Sequence, residues 1–180
     1  MNRRVIFVPD DYWTNPPKEN EMPIDPNAPG DLRRAGVFIK WRCYNSQDGC
    51  NSVLQEALDT GRVAQFVGSV LTTLSAVAAQ LLTEHGQRAL AEDIAFYAAA
   101  DPEDFPHEWR RAARLIAGHG RADTNEIAAV LKEQNELTPT ILSIVDVYCQ
   151  LLPGLTTGIG MQILDNGIRT LSGMEVEGDR

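Results

Sequence analysis

Val63, Val67, Val70, Leu74, Val77 and Leu81 recur at alternating steps of four and three residues, which places them on one stripe of a helix. Gln65, Ser69, Thr72, Ala76, Gln80 and Thr83 fall on the opposite stripe. The run from Val63 to Thr83 is 21 residues without an ionisable side chain, long enough to cross a bilayer. A lone lipid-facing helix gains nothing from a polar stripe, whereas a bundle helix with one face in the core shows this two-sided pattern. The expectation is a central helix of a soluble bundle, with membrane association as a weaker alternative. A second low-charge stretch, Leu137 to Leu164, carries Asp146 midway and is broken by Pro153-Gly154, which predicts two core helices.

The same periodicity organises the chain after residue 50. Asn51 or Ser52 can cap a short helix ending near Gly61, and the long helix then closes around His85-Gly86. Leu90, Ile94 and Tyr97 supply the stripe of the next helix. Asp101-Pro102-Glu103-Asp104 reads as a helix start, although Pro106 moves the regular helix toward Phe105. Its expected apolar face is Phe105, Trp109, Ala112 and Ile116, with Arg110, Arg111 and Arg114 outward and Gly118 and Gly120 as the stop. Asp123 and Glu126 have capping-box spacing for a helix burying Ile127, Val130 and Leu131. Thr138-Pro139 starts another, with Ile141, Val145, Tyr148 and Leu152 on one face. A last helix is expected over Thr156 to Leu171, followed by a frayed acidic tail.

The N-terminal segment patterns differently. Val5 to Val8 is a short apolar run suited to a strand, and Asp10 to Ala35 contains Pro16, Pro17, Pro23, Pro26 and Pro29, which argue against a helix. Over Gly36 to Tyr44, Val37, Ile39, Trp41 and Cys43 alternate with Phe38, Lys40, Arg42 and Tyr44, the period of a half-buried strand. Asp48-Gly49 then reads as a turn.

The net charge is −9, and it is concentrated after Arg62, where eight basic residues face sixteen acidic ones. Such a body repels phosphate backbones and anionic lipid, so nucleic acid is not an expected partner. Only four apolar residues precede Pro9, too few for a signal-peptide core, so a cytoplasmic setting with reduced thiols is expected.

Chemistry-bearing patterns are sparse. Asp104 and His107 lie three residues apart, a spacing from which carboxylate and imidazole can share a metal, with Glu92 and Asp93 as further candidates on the preceding helix. The copy is single and Pro106 interrupts it, while Arg111 stands where a zincin would need its second histidine. His85 and His119 each adjoin a glycine at an expected helix end, where an imidazolium meets the C-terminal dipole. Cys43 and Cys50 lack the further ligands of a zinc site, and Cys149 reads as a small core residue. Gly154, Gly158 and Gly160 lack the strand and Lys-Ser/Thr of a phosphate loop and suit close helix packing instead.

The resulting expectation is a mainly α protein: an extended Pro-rich arm with one or two short strands over 1–49, an acidic domain of about six helices over 50–172, and a flexible tail over 173–180. No catalytic residue, metal or cofactor is assigned. The expected function is a non-enzymatic interaction or assembly subunit, a structural component of a larger complex or virus particle, binding a protein partner or itself. Val5, Phe7, Tyr12, Trp13, Phe38 and Trp41 are the expected contacts, because aromatic residues in a segment too short for its own core need a surface to bury them. The alternatives are a metal-dependent helical enzyme using the Asp/His site and a membrane-associated helical protein.

Overall fold

The computed structural model describes residues 25–101, 103–133 and 137–178, with side chains to 174. Among them are eight α-helices: α1 (Ala28–Cys43), α2 (Gln47–Asp59), α3 (Val63–Leu81), α4 (Glu84–Ala99), α5 (His107–Gly120), α6 (Thr124–Lys132), α7 (Thr138–Leu151) and α8 (Gly158–Gly178). A 3-10 turn, Pro153–Thr156, joins α7 to α8.

The helix α3 is the centre of the bundle, packed by α1, α2, α4, α5, α7 and α8. Val63, Val67, Val70, Leu74 and Val77 of the expected stripe are buried, joined by Phe66, Leu71 and Ala78, while Thr72, Ala76 and Gln80 face outward. By length and hydropathy α3 also qualifies as a membrane span, and among the described helices it alone does. Ile141, Val145 and Tyr148 of α7, with Leu152 just beyond it, are buried as their spacing predicts. Asp123 caps α6, its Oδ1 accepting the Glu126 amide at 3.1 Å.

Four expectations are overturned. The strand over 37–43 is the helix α1. Its buried residues are Gly30, Asp31, Ala35, Gly36, Phe38 and Ile39, of which the non-glycines follow steps of four, three and one, so helical packing overrides a run whose alternation and β-branched content suggested a strand. Pro29 does not obstruct this helix, because it lies in the first turn where a missing N–H costs nothing. Any extended arm therefore ends before α1, and Val5 to Val8 lie outside the described residues. Second, α2 starts at Gln47 on the cap Ser46, whose Oγ accepts the Gly49 amide at 3.3 Å, rather than at Asn51 or Ser52. Asp48-Gly49 is thus inside its first turn, and Gly49 is needed there because an added Cβ would stand 2.5 Å from the Trp41 ring. Third, the long helix stops at Leu81 because Thr83 caps α4, placing His85 at a helix N-terminus instead of the expected C-terminal end. Fourth, α8 continues to Gly178, through most of the segment expected to fray.

Three helix stops share one geometry. Asn45, Gly61 and Ala122 take left-handed φ of 56°, 68° and 52°. In each case the next amide reaches back to a carbonyl five residues earlier: Ser46 to Trp41, Arg62 to Ala57 and Asp123 to Gly118. This is the Schellman arrangement that satisfies the last carbonyls of α1, α2 and α5. Asn and Gly tolerate the left-handed region, whereas Ala does so at a cost of about 1 kcal/mol.

Candidate functional site

Charge pairs fasten α1 to its neighbours. The carboxylate of Asp31, whose side chain is 3% exposed, accepts from Nε of Arg62 at 3.1 and 2.9 Å, and Arg62 also binds Asp25. Arg34 bridges Asp31 and Glu56 of α2. Further along α1, Lys40 pairs with Asp165 of α8 at 2.5 Å, and Arg42 grips Asp146 of α7 through two bonds of 2.7 Å. The Arg62 guanidinium holds the Asp25 carboxyl below its usual range. These pairs orient α1 against its neighbours.

The end of the molecule built from α4, α5 and α6 has another character. The helix α4 buries only Leu90 and Ile94, and it packs against α5, with aromatic rings among the contacts. Tyr97 stands edge-on to Phe105 at 4.9 Å and to Trp109 at 6.2 Å, and Phe96 closes the row against Phe105 at 6.4 Å. Phe96 itself is 66% exposed, so the row ends in a ring presented to solvent on a support of three half-buried aromatic side chains. Between the same two helices runs an open groove of about 200 Å³, floored by Ala95, Ala98, Ala99 and Ala117 and edged by Arg114, Arg121 and Glu126.

The arginines expected to point freely outward on α5 are partly occupied. Arg114 binds Glu126 at 2.7 Å and Glu133 at 2.7 Å, and Arg111 lies 3.6 Å from Glu133, clamping α6 onto α5. His119 closes α5, where burial holds its pKa below the ordinary imidazole value.

The expected site residues are dispersed. Asp104 is exposed in the turn before α5 and His107 is exposed as the first residue of that helix, with Asp101 forming a local turn by accepting the Glu103 amide at 3.0 Å. Glu92 and Asp93 are exposed on α4. Among the described residues no three His, Cys, Asp or Glu side chains converge as a metal-ligating group. Phe38, expected at a partner surface, is fully buried against Phe66 at 5.4 Å between ring centres and is a core residue. Trp41 is 43% exposed beside Tyr44 at the end of α1. Val5, Phe7, Tyr12 and Trp13 lie outside the described residues. Phe96 was missed by sequence reasoning, although it stands off the stripe set by Leu90, Ile94 and Tyr97, and a large aromatic off the stripe is the signal that identifies it.

Of the three glycines expected to allow close packing, Gly160 does so, since an added Cβ would lie 2.4 Å from the Leu155 carbonyl oxygen, whereas one at Gly158 would meet nothing within 4 Å and one at Gly154 only Leu81 at 3.7 Å. No protein-family model, no curated protein and no solved structure matches the chain.

Proposed function

We propose that the chain is a non-enzymatic interaction or assembly subunit that binds a protein surface, a second copy of itself or another chain, through the aromatic row of α4 and α5. The observation that carries this reading is Phe96, 66% exposed at the outer end of a row of four rings linked by edge-on contacts. A scattered exposed apolar residue needs no explanation, whereas a pre-packed aromatic row is a low-entropy anchor of the kind that dominates interface energies. The groove beside it, with an alanine floor and Arg114, Arg121 and Glu126 at its edge, has the apolar-centre and polar-rim make-up of a contact surface. Trp41 and Tyr44, near the end of α1, are two further exposed aromatic residues. A net charge of −9 disfavours a nucleic-acid partner and suits work in the cytoplasm or inside an assembled particle.

The test is a concentration series by light scattering, together with co-elution against chains from the same assembly. Phe96→Ala should weaken association at least tenfold, about 1.4 kcal/mol, while the melting temperature stays at the wild-type value. Association unaffected by Phe96→Ala, or a wild-type chain that stays monomeric and binds none of those chains, refutes the reading.

A further inference from the structure

The seam between α1 and α7 brings together two nucleophilic side chains that the interaction surface does not use. Cys43 Sγ and Cys149 Sγ are 3.6 Å apart across a sequence separation of 106 residues. Arg42 immediately precedes Cys43, and Asp146 lies one helical turn before Cys149, so the two-bond pair between Arg42 and Asp146 sets the register in which the thiols meet. Both thiols are half-buried and therefore open to a small reagent, whereas Cys50 is 0% exposed.

We propose that Cys43 and Cys149 form a reversible redox clasp, closing to a disulfide between α1 and α7 when a low-molecular-weight disulfide serves as oxidant. A disulfide is about 2.05 Å long, so closure asks the sulfurs to approach by roughly 1.5 Å, a movement on the scale of a side-chain rotation. Cys149 is the entering nucleophile. Its pKa is held down by the hydrogen bond it shares with Cys43 and, more weakly, by the Arg42 guanidinium, against the opposing effects of burial and of the Asp146 carboxylate. The Cys43 thiol is pushed up by the same shared hydrogen bond and by burial. In the first step the Cys149 thiolate attacks one sulfur of the small disulfide, forming a mixed disulfide and releasing one small thiolate. The negative charge that raised Cys43 is then gone. Cys43 loses its proton, attacks Cys149 Sγ and displaces the second small thiolate. Two protein thiols are oxidised and one small disulfide is reduced to two thiols, which carry away both protons.

The full-length protein is incubated with oxidised glutathione and followed by intact mass, non-reducing peptide mapping and melting temperature. The expected product is lighter than the reduced chain by two hydrogen atoms, links the Cys43 and Cys149 peptides and keeps Cys50 as a thiol. Its melting temperature is raised, and dithiothreitol returns it to the starting value. Cys43→Ser should stop at a stable glutathione adduct on Cys149, and Cys149→Ser should react more slowly. A wild-type chain that stays reduced, that accumulates the adduct without closing, or that links Cys50 instead overturns the proposal. Faster reaction of Cys149→Ser than of Cys43→Ser overturns the assignment of the nucleophile.

Discussion

The helix α1 and the helix α4 have the same length, 16 residues, yet they are held by opposite means. Six residues of α1 are buried, and its ion pairs reach α2, α7, α8 and the loop before α3. Two residues of α4 are buried, and Tyr97 adds edge-on ring contacts to Phe105 and Trp109 of the segment that follows. The helix stops follow the same division: α1 and α2 end on Asn45 and Gly61, residues suited to the left-handed region, and α5 ends on Ala122, which is not. Charge pairs confer little net stability but penalise every other orientation, so α1 is fixed in place. Around α4 the local choices depart from what stability alone favours, which is the usual condition of a surface retained for another purpose.

The contrast breaks most sharply by truncating one phenylalanine in each region. Phe38→Ala removes a fully buried ring packed edge-on against Phe66 and should cost about 4 kcal/mol in denaturant unfolding. Phe96→Ala in the same assay should cost less than about 0.5 kcal/mol. Equal losses would mean that the two regions are not distinct.

Next in size is Asp31→Ala. It removes the buried carboxylate shared by Arg62 and Arg34, which keep only Asp25 and Glu56 as partners, and should cost about 2 kcal/mol through lost charge-assisted hydrogen bonds. A loss below about 1 kcal/mol would reduce the α1 network to an ordinary surface feature. The smallest effect has the opposite sign. Ala122→Gly should stabilise the chain by about 0.5–1 kcal/mol, since glycine takes φ of 52° without the Cβ penalty. Thermal unfolding of the purified variant reads this directly, and a destabilised variant would contradict it.

Legibility followed the same line. The helices α3 and α7 were readable because each buries a stripe at uninterrupted steps of three and four, and α6 because Asp123 and Glu126 announce its cap. The helix α1 was misread because Val37-Phe38-Ile39 has strand propensity and alternates with charged residues, while the partners that make those charges helical, Asp146 and Asp165, stand more than a hundred positions away. No local window contains them. The thiol pair was hidden for the same reason: Cys43 was compared with Cys50 nearby, although its neighbour in space is Cys149. Of the residues expected at a partner surface, Trp41 is half exposed on α1 and Phe38, read on a strand face, lies in the core, while Phe96 was overlooked because the apolar stripe of α4 was complete without it.

Amide hydrogen exchange of the native chain, resolved by helix, tests the central contrast most directly. If α1 is an integral, charge-locked part of the core, its amides from Ala35 to Ile39 exchange as slowly as those of Val70 to Leu74 in α3, while Ala91 to Tyr97 of α4 exchange faster by local opening. Fast exchange across α1 with protection of α4 equal to that of α3 would contradict the account.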